Sequence, residues 1–218
     1  MKKKLFIIIF LLFLICGCGS SSSSDYIPKG KYLFYKMENS EGKVYPREII
    51  DVVDTKSGGN VDYMYIYVMK GNEATVSWNT DDKEDCIIDE EHFNIPEKDD
   101  YYSYKYEDGE IILSSENFTW YYKKDLETFD SKKYYGHYDV IKATDDGEDV
   151  TDIYKGNFYV EIYYNNKVSI FSNKEFSLNI NSSLIFGDDG EYLIEYEMDG
   201  DILTIFIDDD CTIVLEKD

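Results

Sequence analysis

The chain reads as an all-β protein: two tandem small antiparallel β-barrel or sandwich modules, each with a short helical insert after its first strand, preceded by a lipoprotein signal peptide. Three observations point there. The composition is rich in aromatic residues, with 22 Tyr and 12 Phe against only 3 Pro, and aromatic and β-branched side chains suit a pleated, half-buried surface. Alternating apolar and polar runs recur on either side of Asn/Gly or Asp/Gly pairs, the pattern of hairpins whose turns need positive φ. These runs also occur twice, in the same order, which marks a duplicated unit.

The first element is a leader. Lys2, Lys3 and Lys4 form a basic start, and residues 5–15 are apolar without interruption. That run is long enough for a signal-peptide core and shorter than the ~20 residues that cross a hydrocarbon layer. It ends in Leu14-Ile15-Cys16-Gly17-Cys18, which resembles the lipobox read by bacterial signal peptidase II, with a branched residue at Ile15, a small one at Gly17, then the cysteine. The resemblance implies a signal peptide over 1–17 and a diacylglyceryl group on Cys18, which ties the protein to the extracellular face of the cell membrane. Two acyl chains suffice for stable anchoring, at about 0.8 kcal/mol per buried CH₂. Residues 18–26 hold Gly19 and a serine run, a flexible tether.

The formal charge of −23 becomes about −26 once the three leader lysines are removed. Such a chain repels nucleic-acid phosphates, so a DNA or RNA partner is excluded. Anionic headgroups are repelled as well, which leaves anchoring to the lipid. Of four cysteines, only Cys86 and Cys211 remain in the folded part. They fall in different modules, and separate cores do not bring α-carbons to the roughly 4.4–6.8 Å of a disulfide, so both are expected as free thiols.

The repeat is explicit in the residues. Gly30-Lys31-Tyr32 opens one copy and Gly136-His137-Tyr138 the other. Met64, Ile66 and Val68 lead to Gly71-Asn72 and return through Ala74-Thr75-Val76. Phe158, Val160 and Ile162 lead to Asn165-Asn166 and return through Val168-Ser169-Ile170. Asp108-Gly109 matches Asp199-Gly200, and Phe118-Thr119-Trp120 matches Cys211-Thr212-Ile213. The modules are therefore placed at 27–125 and 134–218, joined by a linker at 126–133. Each has roughly seven short strands, with the partly helical stretches at 45–53 and 148–154. Closing each sheet into a barrel removes its sticky edges.

The lipobox, the serine tether, the Gly-x-Tyr opening, the acidic helix-like insert and the Asp-Gly hairpin together resemble the short lipocalin-like domains of surface lipoproteins from Gram-positive bacteria. The resemblance implies a small β-barrel, a surface location and a binding role.

No residues form a catalytic constellation. His92 and His137 are the only histidines, one in each module, and a triad needs its members together on one scaffold. The chain is read as non-enzymatic, with no cofactor and no metal. Acidic clusters at 81–82, 145–149, 188–189 and 208–210 lack the spacing of an EF-hand loop and read as solvated turns. The candidate binding face is Tyr63, Tyr65 and Tyr67: Met64, Ile66 and Val68 take the core side, and the second copy shows Asn157, Tyr159 and Glu161 at the tyrosine positions. Tyr102, Tyr104 and Tyr106 form a second stripe, but pairing the Asp-Gly turns puts it out of step with Ile194, Tyr196 and Met198, so its face stays open. The expected function is a lipid-anchored cell-surface binding protein whose target is an unknown protein, a glycan or a small apolar molecule. The other class is a structural or interaction lipoprotein, a partner or inhibitor of another envelope protein. A ligand-sized cavity favours the lipocalin-type role, and a filled barrel with an exposed tyrosine face favours protein or glycan binding.

Overall fold

A computed structural model describes residues 25–79, 81–124, 126–190 and 192–218. The leader at 1–17 and the lipidation site Cys18 lie outside them. The first copy comprises β1 (Gly30–Asn39), β2 (Val44–Pro46), helix α1 (Arg47–Lys56), β3 (Tyr65–Val68), β4 (Glu73–Ser77), β5 (Lys83–Ile88), β6 (His92–Ile95), β7 (Asp100–Glu107), β8 (Glu110–Ser114) and β9 (Phe118–Lys124). The second comprises β10 (Gly136–Asp145), β11 (Glu148–Asp149), helix α2 (Thr151–Tyr154), β12 (Phe158–Ile162), β13 (Lys167–Ser172), β14 (Lys174–Ile180), β15 (Leu184–Phe186), β16 (Leu193–Asp199), β17 (Ile202–Phe206) and β18 (Thr212–Lys217).

Each copy is an antiparallel meander that closes on itself. In the first, β1 pairs with both β3 and β9, and in the second β10 pairs with both β12 and β18. The result is two eight-stranded barrels, each with one short extra strand, β2 or β11, hung on the end of its first strand. One long strand serves two neighbours because it bends at a bulge, between Phe34 and Lys36 in β1 and between Val140 and Lys142 in β10. An extra residue kinks a strand locally and sharpens its twist. The sequence predicts roughly seven strands per copy, one fewer than the eight that form each ring.

The Gly-x-Tyr opening has a physical cause. Gly30 and Gly136 sit at φ +143° and +151°, and a Cβ there would lie 2.8 Å from Lys124 Cε or 2.5 Å from Lys217 Cε. Two residues on, Tyr32 and Tyr138 are fully buried, and each hydroxyl donates to the carbonyl four residues earlier, Pro28 or Tyr134, at 2.7 Å. These bonds tie each barrel's entry segment to its first strand. The hairpin turns use the predicted residues: Gly71, Asn72 and Asn166 all adopt positive φ.

The cores are separate. Tyr32, Phe34, Ile66, Val68, Phe93, Ile111 and Leu113 fill the first barrel; Tyr138, Val140, Val160, Ile162, Ile180, Leu203 and Leu215 fill the second. Cys86 and Cys211 are buried free thiols, Cys86 in the first core.

A third, smaller cluster joins the barrels. Val52 and Ile49 of α1 pack on Leu184 and Phe186 of β15, while Ile185 between them points into the second core. Ile50 of α1 packs on its own barrel. Asn181 Nδ2 donates to Glu48 O (3.1 Å) and Asp51 Oδ2 (3.3 Å), and Ser182 Oγ donates to Glu48. The strand equivalent to β15 in the first barrel, β6, turns His92 and Asn94 outward instead. Asn94 donates to Asp89 Oδ2 at 2.8 Å and the His92 ring lies on Tyr101. The duplicated strand has thus become a docking face in one copy and a wet face in the other. Within the linker, Ser131–Tyr134 forms a 3₁₀ turn fastened to the second barrel: Ser131 N donates to Asn166 Oδ1 (3.0 Å), and Asn166 N donates to Ser131 Oγ (2.8 Å).

Candidate functional site

The two barrels are built alike and filled differently at one end. Barrel registers define the equivalent positions. Val76 pairs with Glu84 as Ile170 pairs with Phe176, and Leu113 pairs with Trp120 as Ile205 pairs with Ile213. Phe93 pairs with Tyr102 as Ile185 pairs with Ile194.

In the first barrel this end is occupied. Glu84 alternates inward with Cys86 and Ile88 and is 7% exposed. A buried carboxylate is costly unless paired and hydrogen-bonded, and Glu84 is both. Its Oε2 accepts from Trp78 Nε1 (3.1 Å) and Tyr102 OH (3.0 Å), and its Oε1 pairs with Lys98. Burial pushes the Glu84 carboxyl up, but Lys98, Trp78 and Tyr102 together hold it below the ordinary glutamate value. Burial and Glu84 push the Tyr102 phenol up. The Trp78 ring lies 5.0 Å from Trp120 and 5.4 Å from Tyr102. Three aromatic rings, a carboxylate and a lysine close this mouth. Deeper in, the fully buried Tyr122 hydroxyl has no hydrogen-bond partner among the described residues.

In the second barrel the same positions carry Ser172 for Trp78, Phe176 for Glu84, Ile194 for Tyr102 and Ile213 for Trp120. The rings and the charge are gone, and a cavity of about 280 Å³ opens. Phe158, Ile170, Leu178, Ile194 and Ile213 line it, with Tyr154, Phe176, Tyr192 and Ile207 at the mouth. Phe176 and Tyr192 face each other at 6.3 Å and are 38% and 50% exposed. An apolar hollow with an apolar rim open to water is the usual form of a small-molecule site, and its volume is close to the lower end of the roughly 300–1,000 Å³ range. Beside it, Cys211 Sγ lies 3.9 Å from Tyr154 OH. Burial pushes that thiol up, and Asp145 and Asp208 push it further, so the surroundings are negative.

The predicted tyrosines lie elsewhere. Tyr65 and Tyr67 project from the outer face of β3 while Ile66 and Val68 point inward. Tyr63 belongs to a 3₁₀ turn, Val61–Tyr63, before the strand begins. Tyr63 and Tyr67 are exposed; Tyr65 is half-buried beneath the Lys31 ammonium, 4.3 Å from its ring centre. The face they occupy is neither mouth. The second barrel's outer face is also aromatic, since Tyr159 stacks on Phe171 at 4.8 Å and lies 4.8 Å from His137. The second tyrosine stripe points inward: Tyr102, Tyr104 and Tyr106 all pack against the first core. Its parity is restored because the second copy's turn is Gly200-Asp201, between paired Asp199 and Ile202, whereas the first copy turns at Asp108-Gly109 between paired Glu107 and Glu110. Aligning the two Asp-Gly pairs shifts the strands by one residue, which exchanges faces.

Several acidic groups cap turns. Asp89 Oδ1 accepts from Glu91 N and His92 N, both at 2.8 Å. Asp208 Oδ1 accepts from Asp210 N (3.0 Å) and Cys211 N (2.8 Å). His137, Asp139 and Asp218 bring donor atoms within 4.8 Å of one another at the surface of the second barrel.

No family model, curated protein or solved structure matches this chain. The functional reading therefore rests on the contrast between the two mouths. That contrast was available in the sequence: Trp78, Glu84 and Trp120 differ in kind from Ser172, Phe176 and Ile213, and only the barrel register shows that these positions meet at one end.

Proposed function

We propose that this protein is a lipid-anchored, non-catalytic, lipocalin-like binding protein of the cell surface that holds a small apolar molecule in the mouth of its second barrel. The observation that supports this reading is the open apolar cavity at the place where the first barrel is plugged. Leaving Phe176, Tyr192 and Ile207 against water is unfavourable in the free protein, and covering them with a ligand recovers about 25 cal/mol per Å². The acidic surroundings, with Asp145 and Asp208 acting on Tyr154 at the rim and on Cys211 beside it, disfavour a carboxylate head. The ligand class is a neutral or amine-bearing apolar molecule rather than a fatty-acid anion. The leader and Cys18 support the surface location.

The test uses residues 18–218 with Cys18→Ser, so that the chain is soluble. Titration with the neutral fluorophore N-phenylnaphthylamine is expected to give saturable enhancement with one site. Phe176→Glu, which places the first barrel's residue in the second mouth, should weaken binding at least tenfold. Lys98→Ala, at the other mouth, should leave it unchanged. Equal binding by wild type and Phe176→Glu would reject the site. A second reading, an interaction lipoprotein that engages a protein partner through Tyr63, Tyr65 and Tyr67, is favoured by the exposed rings of Tyr63 and Tyr67.

A further inference from the structure

A second cavity, of about 460 Å³, lies in the cleft between the two barrels and shares no lining residue with the apolar mouth. One wall is α1 with the turn that follows it; the other is the Asn165-Asn166 hairpin turn and the end of β14. We infer that this cleft binds a neutral carbohydrate of one or two pyranose rings.

The lining chemistry is the first argument. Five carboxamides line the cleft, Asn60, Asn165, Asn166, Asn179 and Asn181; Asn179 and Asn181 are engaged within the wall, Asn179 Nδ2 donating to Asp188 Oδ1 (2.7 Å) and Asn181 Nδ2 to Glu48 O (3.1 Å), which leaves Asn60, Asn165 and Asn166 for a ligand. An amide both donates and accepts, as does each hydroxyl of a sugar, so adjacent amides match adjacent hydroxyls without bringing in charge. Two of these amides are held in one orientation. Asn60 Oδ1 accepts from Asp62 N (2.8 Å) and Asn166 Oδ1 accepts from Ser131 N (3.0 Å). Among the described residues neither Nδ2 has an acceptor, so the donors of both amides are unused in the lining. Asn165, in the same turn, has no side-chain hydrogen bond to any described residue.

Acceptors stand opposite. Asp51 is sheltered in the wall and, among the described residues, takes only the long 3.3 Å bond from Asn181, which leaves lone pairs for a hydroxyl donor. Burial, the largest influence on it, pushes its carboxyl above the ordinary aspartate value, as expected of a carboxylate short of donors. Phe129 adds an apolar ring to the lining and is itself stacked on Tyr134 (5.9 Å, 17°), a fixed surface for the C–H face of a sugar ring.

Charge narrows the class. Glu48, Asp51, Asp62 and Glu127 line the cleft against Arg47 alone, and Arg47 is already bound to Asp62 and to the Phe34 carbonyl. Anionic sugars, phosphates and nucleotides are repelled. The walls are also held in place before any ligand arrives, by Val52 on Leu184 and Phe186 and by Asn181 on Glu48. A preformed site between domains avoids the ordering cost of binding.

The test uses residues 18–218 with Cys18→Ser and a panel of cellobiose, maltose, lactose and chitobiose, with glucosamine and glucuronate as charged controls. Calorimetry and saturation-transfer NMR are expected to find a neutral disaccharide that binds with Kd between 10 µM and 5 mM (on the order of weak single-site ligands). Asn165→Ala breaks no side-chain hydrogen bond among the described residues, so it should weaken binding at least fivefold without moving the melting temperature. N-phenylnaphthylamine binding should be unaffected, because the sites are separate. Failure of every neutral sugar to bind with Kd below about 5 mM, roughly the weak limit of specific binding, would overturn the proposal. So would preferential binding of glucosamine, which would make the cleft a cation site, or binding indifferent to Asn165→Ala.

Discussion

Ser172→Trp transplants the first barrel's plug into the second barrel's open mouth, and its consequences follow from the geometry. Ser172 occupies the position that Trp78 holds in the other copy, at the edge of a cavity of about 280 Å³ lined by Ile170, Ile194 and Ile213. A tryptophan side chain carries about 150–250 Å² of surface. With roughly half of it covered by the cavity wall, burial of ~100 Å² stabilises by ~2.5 kcal/mol at ~25 cal/mol per Å². Ordering the side chain costs roughly 1 kcal/mol. The indole N–H has no Glu84 to meet, because Phe176 stands there, and it stays satisfied only where it reaches water; a partial loss of ~0.5 kcal/mol is reasonable. The net gain is about 1 kcal/mol, which for a module of this size raises the melting temperature by roughly 4–8 °C. The assay is differential scanning calorimetry with a parallel N-phenylnaphthylamine titration. The variant should melt higher and lose the fluorophore. A variant that melts several degrees lower and still binds would show that no space stands open at this mouth, and the reasoning from the paired positions would fail.

Four other perturbations follow. Tyr122→Phe removes a fully buried hydroxyl that has no hydrogen-bond partner among the described residues; stability should rise by about 1 kcal/mol, and a fall in the urea midpoint would reveal a partner such as a buried water. Glu84 is held below its ordinary 4.5 in the folded state, so its ion pair and hydrogen bonds stabilise the fold fully above that value and less as pH falls through the folded one. Glu84→Gln should therefore lower stability at pH 7 and flatten the loss of stability as pH falls below 4.5; an unchanged acid limb would contradict it. Phe186 is 2% exposed and covered by α1, so Phe186→Ala should cost about 3–5 kcal/mol in the full chain and far less in residues 126–218 alone, where the ring is already bare; equal costs in both would place it in the barrel core instead. Cys18→Ser in cells should leave an unprocessed precursor that takes up no labelled fatty acid, and normal labelling would move the lipid to Cys16.

Much of this architecture can be read locally. Positive φ at Gly30, Gly136, Asn72 and Asn166 is signalled by residue type, since glycine and asparagine tolerate what other side chains do not. Alternation within Met64–Val68 and Phe158–Ile162 decides which side chains enter a barrel, because successive strand residues point to opposite faces. The duplication follows from comparing the two halves, and the acidic character from counting charges. None of these depends on a distant contact.

What tertiary structure alone decided is everything that needs a position along the barrel axis or a neighbour from the other copy. Alternation says that Glu84 and Phe176 point inward, but not that they sit at an end, nor that Trp78, Tyr102 and Trp120 converge on one of them while the other borders a hollow. That depends on the stagger of strands around a closed barrel, which closure fixes and local pattern does not. The one-residue offset between Asp108-Gly109 and Gly200-Asp201 is of the same kind, since pairing across the turn and not turn composition sets which stripe faces in. The cleft depends on α1 of one copy covering β15 of the other. Ile49 and Val52 announce an apolar helix face, and Leu184 and Phe186 an apolar strand face, but each could have been buried within its own barrel. Burial is non-directional, and only the assembled packing shows which apolar surface met which.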